Sequence, residues 1–314
     1  MDVVEVSKLL VKNKNYLCNE DNYKRVINMG KNTYRYDLIN RILIDIQFKN
    51  AFDLRTKEEW ALVGRQTKDK AVAVYVLLPK YKVAYISNLS GKEMSNELSS
   101  EELERAVGYN IVTRVNDVDN IEIKEVYDVS QTRSVTDKSE KLSRPRLDDT
   151  GILGLVRSLT GYDVKFSDMT YVSKSAKTVF VNNSSYGGLR ISVSEAIQLY
   201  YSDTDIKMMC NEHGIEVLDS RGLRVFRESL RYALLSLMGI EKDVDLSEVE
   251  STPEDVVFNI ANLVNRILCD VSIRFEMVNS KEFMSAEESI KLAQEAEFVL
   301  SVLDSYKVYK QLYS

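Results

Sequence analysis

Apolar residues recur at helical spacing over much of the chain and at strand spacing in several short stretches. In residues 34–50, Tyr36, Ile39, Leu43, Ile46 and Gln47 fall near a 3.6-residue period with Asp37 in the first turn, which predicts a helix. Before it, residues 1–30 form a lead-in whose residues 21–29 predict a short helix ended by Gly30. Residues 56–63 predict another: Thr56 is the cap, Glu59 three positions on completes a capping box, and Gly64 stops the helix. Residues 71–78, rich in Val, Ala, Tyr and Leu and ended by Pro79, predict a strand, with residues 83–86 as its hairpin partner. Residues 95–106 predict an acidic helical insertion capped by Ser99 or Ser100, and strands follow at 109–115 and 122–128.

Residues 130–149 are rich in Ser, Thr, Lys and Arg and carry Pro145, so they predict a linker. The chain then divides into a module of residues 1–135, a linker of 136–150 and a second domain of 151–314. The second domain predicts a helix at 151–160. A ribbon follows at 171–172, 178–182 and 189–191, with residues 183–188 as its turn. Helices are expected at 192–201 and 224–238, the latter closed by Gly239. Another is opened by Thr252-Pro253-Glu254-Asp255, and a last one, capped at Ser285 and Glu288, runs to about residue 309. Val225, Phe226, Leu230, Ala233, Leu234 and Leu237 share one helical face, as do Val256, Val257, Ile260, Val264, Ile267 and Leu268, so both helices should bury a side against the helix of residues 192–201. The fold class is α+β, a small N-terminal α/β binding module followed by a helix-rich domain.

With 44% hydrophobic and 29% charged residues and only 3 Pro, the 314-residue chain reads as globular rather than disordered. Cys18, Cys210 and Cys269 lie far apart with no CxxC pair. This argues against a disulfide framework or a structural zinc and predicts a reducing, cytoplasmic setting. No basic-then-apolar N-terminal segment and no 18-residue apolar run predict a membrane partner. The net charge of −6 is uneven. Residues 1–70 hold 14 basic against 10 acidic residues, a net +4, and the remainder 28 against 38, a net −10. A local basic face can therefore attract phosphate within an acidic chain.

Candidate binding chemistry gathers in that basic part. Trp60, the only tryptophan, precedes Gly64-Arg65; Lys68 and Lys70 follow at close spacing, and Tyr34 and Tyr36 lie upstream. Cations that track phosphates and rings that stack on bases suit single-stranded nucleic acid. The competing reading makes Trp60 a core residue, Gly64 a helix cap and the lysines a solvated rim.

This segment resembles the N-terminal, single-stranded-DNA-binding domain of the ArdC antirestriction family, which includes LtrC-like proteins of conjugative elements. The shared pattern is carried by Tyr36, Asn40, Leu43, Ile44, Gln47, Ala51, Trp60, Gly64, Arg65, Lys68, Lys70 and Pro79, closing on Tyr127, Asp128, Ser130, Gln131 and Thr132. Asp69 departs from it, standing where the family has Gly between two lysines, and adds a negative charge. The resemblance implies DNA contact by Tyr34, Tyr36, Asn40, Gln47, Trp60, Arg65, Lys68 and Lys70.

In the family that module precedes a zincin-like metallopeptidase domain, in which two histidines of HExxH bind zinc on one helix face and the Glu acts as general base. Residues 178–201 resemble its strand, turn and active-site helix, and residues 226–240 its later helix, with Glu228 at the place of the third ligand. Ser194-Glu195-Ala196-Ile197-Gln198 stands where HExxH would, and His213 is the one histidine of the chain. Neither Ser nor Gln is a credible primary zinc ligand. Glu195 also has a local explanation, as the closing residue of a capping box with Ser192. His213, beside Gly214, reads as a surface residue.

The resemblance thus implies a catalytically dead domain with no metal or other cofactor, Glu195 and Glu228 being vestigial. No phosphate-binding glycine loop and no GxSxG elbow offers other chemistry, and the carboxylate pairs Glu101-Glu102 and Glu287-Glu288 fall on solvent faces of predicted helices. The expected function is that of a phage or plasmid antirestriction protein whose partners are single-stranded DNA and a host defence or restriction protein. Two alternatives stand beside it: an inhibitor of a host defence enzyme acting without DNA, through its acidic surface, and a residual metallohydrolase using Glu195, Glu228 and His213.

Overall fold

The computed structural model describes residues 3–30, 33, 36–94, 99–135, 147–183, 188–212 and 214–280. Three helices open the chain: α1 (Val3–Lys12), α2 (Glu20–Met29) and α3 (Leu38–Gln47). Asn19 caps α2 and Asp37 caps α3, each accepting a hydrogen bond from the backbone N–H three residues on. Asp37 is thus the cap itself rather than a first-turn residue, and α3 is shorter than its apolar pattern predicts. β1 (Leu54–Arg55) leads into α4 (Lys57–Leu62), whose Thr56–Glu59 capping box forms as expected. Gly64 turns the chain with φ 73° into β2 (Arg65–Thr67).

The strand at Pro79 departs from expectation. β3 (Val74–Ser87) runs straight through that proline, and its partner is not residues 83–86 but β4 (Val112–Asp128), which fuses the two strands expected at 109–115 and 122–128. Parity explains the tolerance. The N–H groups of Tyr75 and Leu77 bond to helix side chains rather than to β4, so residue 79 aims its missing donor at the same outer edge. The acidic insertion forms α5 (Ser100–Gly108), capped by Ser99 in a capping box with Glu102. β1, β4 and β3 make one antiparallel sheet, and β5 (Thr132–Ser134) pairs with β2 in a separate ribbon.

The second half holds α6 (Asp149–Thr160), β6 (Asp163–Ser167), β7 (Tyr171–Ser173), β8 (Thr178–Asn182), α7 (Gly188–Tyr200), α8 (Asp203–Glu212), α9 (Ser220–Leu237) and α10 (Glu254–Ser280). The sheet order is β6-β8-β7, with β6 parallel and β7 antiparallel to β8. Residues 189–191, expected as a strand, belong instead to α7, and the third strand is β6. Leu189-Arg-Ile is too short a run for periodicity to separate helix from strand. The helix expected from Ser285 lies outside the described residues, as do Glu287, Glu288, His213, Tyr34 and most of the expected linker.

The core does not divide at residues 136–150. Val6 and Leu10 of α1, Tyr23, Val26 and Ile27 of α2, and Leu38 and Leu43 of α3 share one buried cluster with Phe226 and Leu230 of α9 and Ile260, Val264 and Ile267 of α10. The buried Tyr23 hydroxyl also reaches Ser229 Oγ at 2.9 Å. The lead-in is thus part of the C-terminal helical layer. The predicted face of α9 is buried and packs on α7, whereas that of α10, buried except for the half-buried Val256, packs on α9 and α6 rather than on the helix of residues 192–201. By length and composition residues 254–275 of α10 could cross a membrane, but 89% of the apolar window is buried inside the fold.

Candidate functional site

Two of the residues matched to the DNA-binding pattern serve the backbone. Asn40 Nδ2 donates to Leu77 O at 2.7 Å, and its Oδ1 accepts from Leu77 N at 2.7 Å. Two helical turns on, Gln47 Nε2 donates to Tyr75 O at 2.9 Å, and its Oε1 accepts from Tyr75 N at 3.0 Å. The seven-residue spacing puts both amides on one face of α3, and the two-residue spacing puts both backbone groups on one edge of β3. Together they satisfy an edge that would otherwise lie open. These bonds give Asn40 and Gln47 a structural role at the edge of β3, where the resemblance implied DNA contact.

Trp60 is likewise structural. It is 0% exposed and its Nε1–H donates to Tyr127 O at 2.8 Å, so no ring face is left for a base. The guanidiniums of Arg55 and Arg65 lie 5.0 and 5.9 Å from its ring centroid and shield it. Arg65 is held there by Nε donating to Thr132 Oγ1 at 2.8 Å. Tyr36 is partly buried, its hydroxyl donating to Leu54 O at 3.2 Å. Burial pushes the Asp37 carboxyl up to about 6 and the nearby Arg41 guanidinium down to about 10.

The remaining cations face solvent. Lys68 and Lys70 are exposed, as is Arg133, which stands opposite Gln66 on the β2–β5 ribbon and which the pattern did not single out. Lys68 Nζ donates to Ser130 O at 2.7 Å, and its backbone N–H extends the ribbon to Gln131 O at 2.9 Å. Among the described residues none of these three forms an ion pair with a carboxylate. Arg133 was hidden because its neighbourhood to Lys68 exists only once β5 returns to β2 across the 64 residues between Thr67 and Thr132.

The second candidate region is a cleft of about 290 Å³ between α7 and α9, lined by Ser194, Glu195, Gln198, Glu228, Arg231 and Lys242 among others. The fold thus brings Glu195 and Glu228 to one cleft. The capping box proposed for Glu195 does not form: α7 begins at Gly188, so Ser192 is a buried residue inside the helix and Glu195 an exposed one on the cleft wall. Arg231 Nη1 lies 3.5 Å from Glu228 Oε2 one turn along α9, and Lys242 adds a second cation from the loop after that helix. Ser194 Oγ donates to Arg190 O at 2.9 Å. A zinc hydrolase site presents three deprotonated or neutral ligands and an open position. A hydroxyl bonded back to its own helix, an amide, two carboxylates and two cations do not fit that requirement. Among the described residues no three His, Cys, Asp or Glu side chains gather as a metal site.

No family model and no curated protein matches the chain. Among solved structures it is similar to the antirestriction protein ArdC from the R388 plasmid. The metal-free form of that protein aligns at a TM-score of 0.41 and 10% identity, covering 80% of this chain and 87% of that one. Its Mn(II)-bound form aligns at 0.38 and 10% identity, covering 81% and 98%. The likeness is one of fold alone.

Proposed function

We propose that the protein is a non-enzymatic antirestriction-type protein of a mobile element, which binds single-stranded DNA through the β2–β5 ribbon and uses its C-terminal helices as an interaction scaffold in the cytoplasm. The observation that carries this reading is the exposure of Lys68 and Arg133 on the β2–β5 ribbon and of Lys70 in the turn that leaves it, without ion pairs among the described residues, in a chain of net charge −6. Cations left unneutralised on an otherwise acidic protein have phosphate as their natural complement. The resemblance of the sequence supplies the antirestriction role and the mobile-element setting. The absence of catalysis is supported by the cleft, where Arg231 lies 3.5 Å from Glu228 and Lys242 lines the same space.

The test is fluorescence anisotropy with a labelled dT oligonucleotide and a duplex of equal length, titrated across salt. About three phosphate contacts predict that log affinity falls with log salt at a slope of about −2 for the single strand. The K68E/K70E/R133E variant should bind at least tenfold more weakly at low salt. Equal affinity in that variant, or a preference for the duplex, removes the assignment.

A further inference from the structure

The far end of the β3–β4 hairpin carries an apolar surface. Asn88 N–H donates to Ile111 O at 3.0 Å and Asn88 Nδ2 to Asn110 O at 2.8 Å, which closes the hairpin end and brings the turn after β3 beside the segment leaving α5. Three large apolar side chains emerge there: Leu89 is 94% exposed, Tyr109 78% and Ile111 51%. Residues 87–111 hold two basic against five acidic residues, a net −3. The ribbon has the converse character. Leu62, 86% exposed, and Val135, 61% exposed, flank the Gly64 turn, where Val135 N–H donates to Gly64 O at 2.9 Å. Val72, 69% exposed, follows Lys68 and Lys70. Residues 62–72 and 130–135 together hold four basic residues and one acidic, a net +3.

We propose that the acidic, apolar hairpin end docks on the basic, apolar ribbon of a second copy of this chain, in competition with single-stranded DNA. Each surface exposes three large apolar side chains, which costs solvent ordering unless they are covered, and their net charges are equal and opposite. The contact is made between copies. β3 is 14 residues long and spans about 45 Å at about 3.3 Å per residue, and it enters the sheet beside the ribbon and leaves at the other end, so the hairpin end is held away from its own ribbon. Joining unlike patches makes the contact heterologous, so copies add head to tail. The carboxylates of α5 take the place of DNA phosphates on Lys68 and Lys70. The inference rests on the ribbon being the anion-binding face.

The experiment measures the mass of the full chain by light scattering after gel filtration. Mass should rise with concentration at low salt, fall towards the monomer at high salt, and fall at low salt when a dT oligonucleotide is added. Two variants divide the contact. E101K/E104K reverses the hairpin end and spares Glu102, whose carboxylate closes the α5 cap; K68E/K70E reverses the ribbon. Each should be monomeric alone. Mixed in equal amounts they should associate again, since the intact ribbon of one meets the intact hairpin end of the other and the two reversed surfaces are also complementary, and E101K/E104K should bind dT as the wild type does. A wild-type protein that stays monomeric at all salts overturns the docking, while dT binding in the same sample leaves the DNA reading standing. Oligomers that persist in both variants also overturn it. If the hairpin end instead engages a host protein, the wild type is monomeric and the mixed variants do not associate.

Discussion

The β2–β5 ribbon and the α7–α9 cleft both gather charged side chains that the sequence marks for function, and they treat charge in opposite ways. On the ribbon, Lys68, Lys70 and Arg133 face solvent without carboxylate partners among the described residues. In the cleft, Glu228 has Arg231 at 3.5 Å, and Lys242 lines the same space as Glu195. An unbalanced cluster projects a field and attracts a counter-charged ligand, whereas a balanced one spends its charge internally. Residue type alone does not separate these cases. The same comparison holds within the N-terminal motif, where Asn40 and Gln47 bond to Leu77 and Tyr75 at the edge of β3, while Lys68, bonded to Ser130 O, and Lys70 face solvent.

The largest effect that would sharpen this division is structural. Trp60→Ala should cost about 3–5 kcal/mol, read as a lowered denaturation midpoint, because a buried ring and its hydrogen bond are lost together. If Trp60→Ala kept full stability and lost only DNA binding, the ring would be a ligand contact after all. Asn40→Ala should cost about 2–4 kcal/mol by stranding the N–H and C=O of Leu77, with dT affinity unchanged where the variant is folded. A drop in affinity without a drop in stability would return Asn40 to the DNA face.

On the ribbon the sign reverses. Lys68→Glu with Lys70→Glu should move stability by no more than about 0.5 kcal/mol, as exposed substitutions do, while weakening dT binding at least tenfold. Asp37→Asn offers a smaller, pH-dependent signal. Burial raises the Asp37 carboxyl from 3.8 to about 6, so the folded state holds a proton that the unfolded chain releases. Its contribution to stability is then greatest below about pH 4 and declines as pH rises to about 6. Asparagine caps a helix as well as aspartate, so the substitution should flatten melting temperature against pH in that window by a few degrees. A wild-type profile already flat there would refute the assignment. The smallest expected effect is on the cleft: zinc added to the purified protein should leave its melting temperature unchanged, because two cations share the cleft with the carboxylates. A stabilisation that saturates near one zinc per chain, lost in Glu228→Gln, would overturn the non-metal reading.

Local rules wrote much of the fold into the sequence. The capping boxes of α4 and α5, the Gly64 turn and the buried stripes of α9 and α10 follow from residues a few positions apart, whose interactions need no knowledge of the rest of the chain. The exposed positions of Lys68 and Lys70 follow in the same way from their place in a polar turn. What depended on distant partners was not legible. β3 continues through Pro79 because its outer edge is completed by α3, some 30–40 residues earlier, and not by another strand. Arg133 joins Lys68 only because β5 returns to β2. Helices α1 to α3 belong to the C-terminal core because Tyr23 and its neighbours find apolar surface on α9 and α10, two hundred residues away. Glu195 lines a cleft rather than capping a helix because α7 starts four residues before Ser192. Hydrogen-bonding capacity and apolar area are set by residue type, but the partner that uses them up is chosen by the tertiary fold, and that choice separates a buried, bonded asparagine from an exposed lysine.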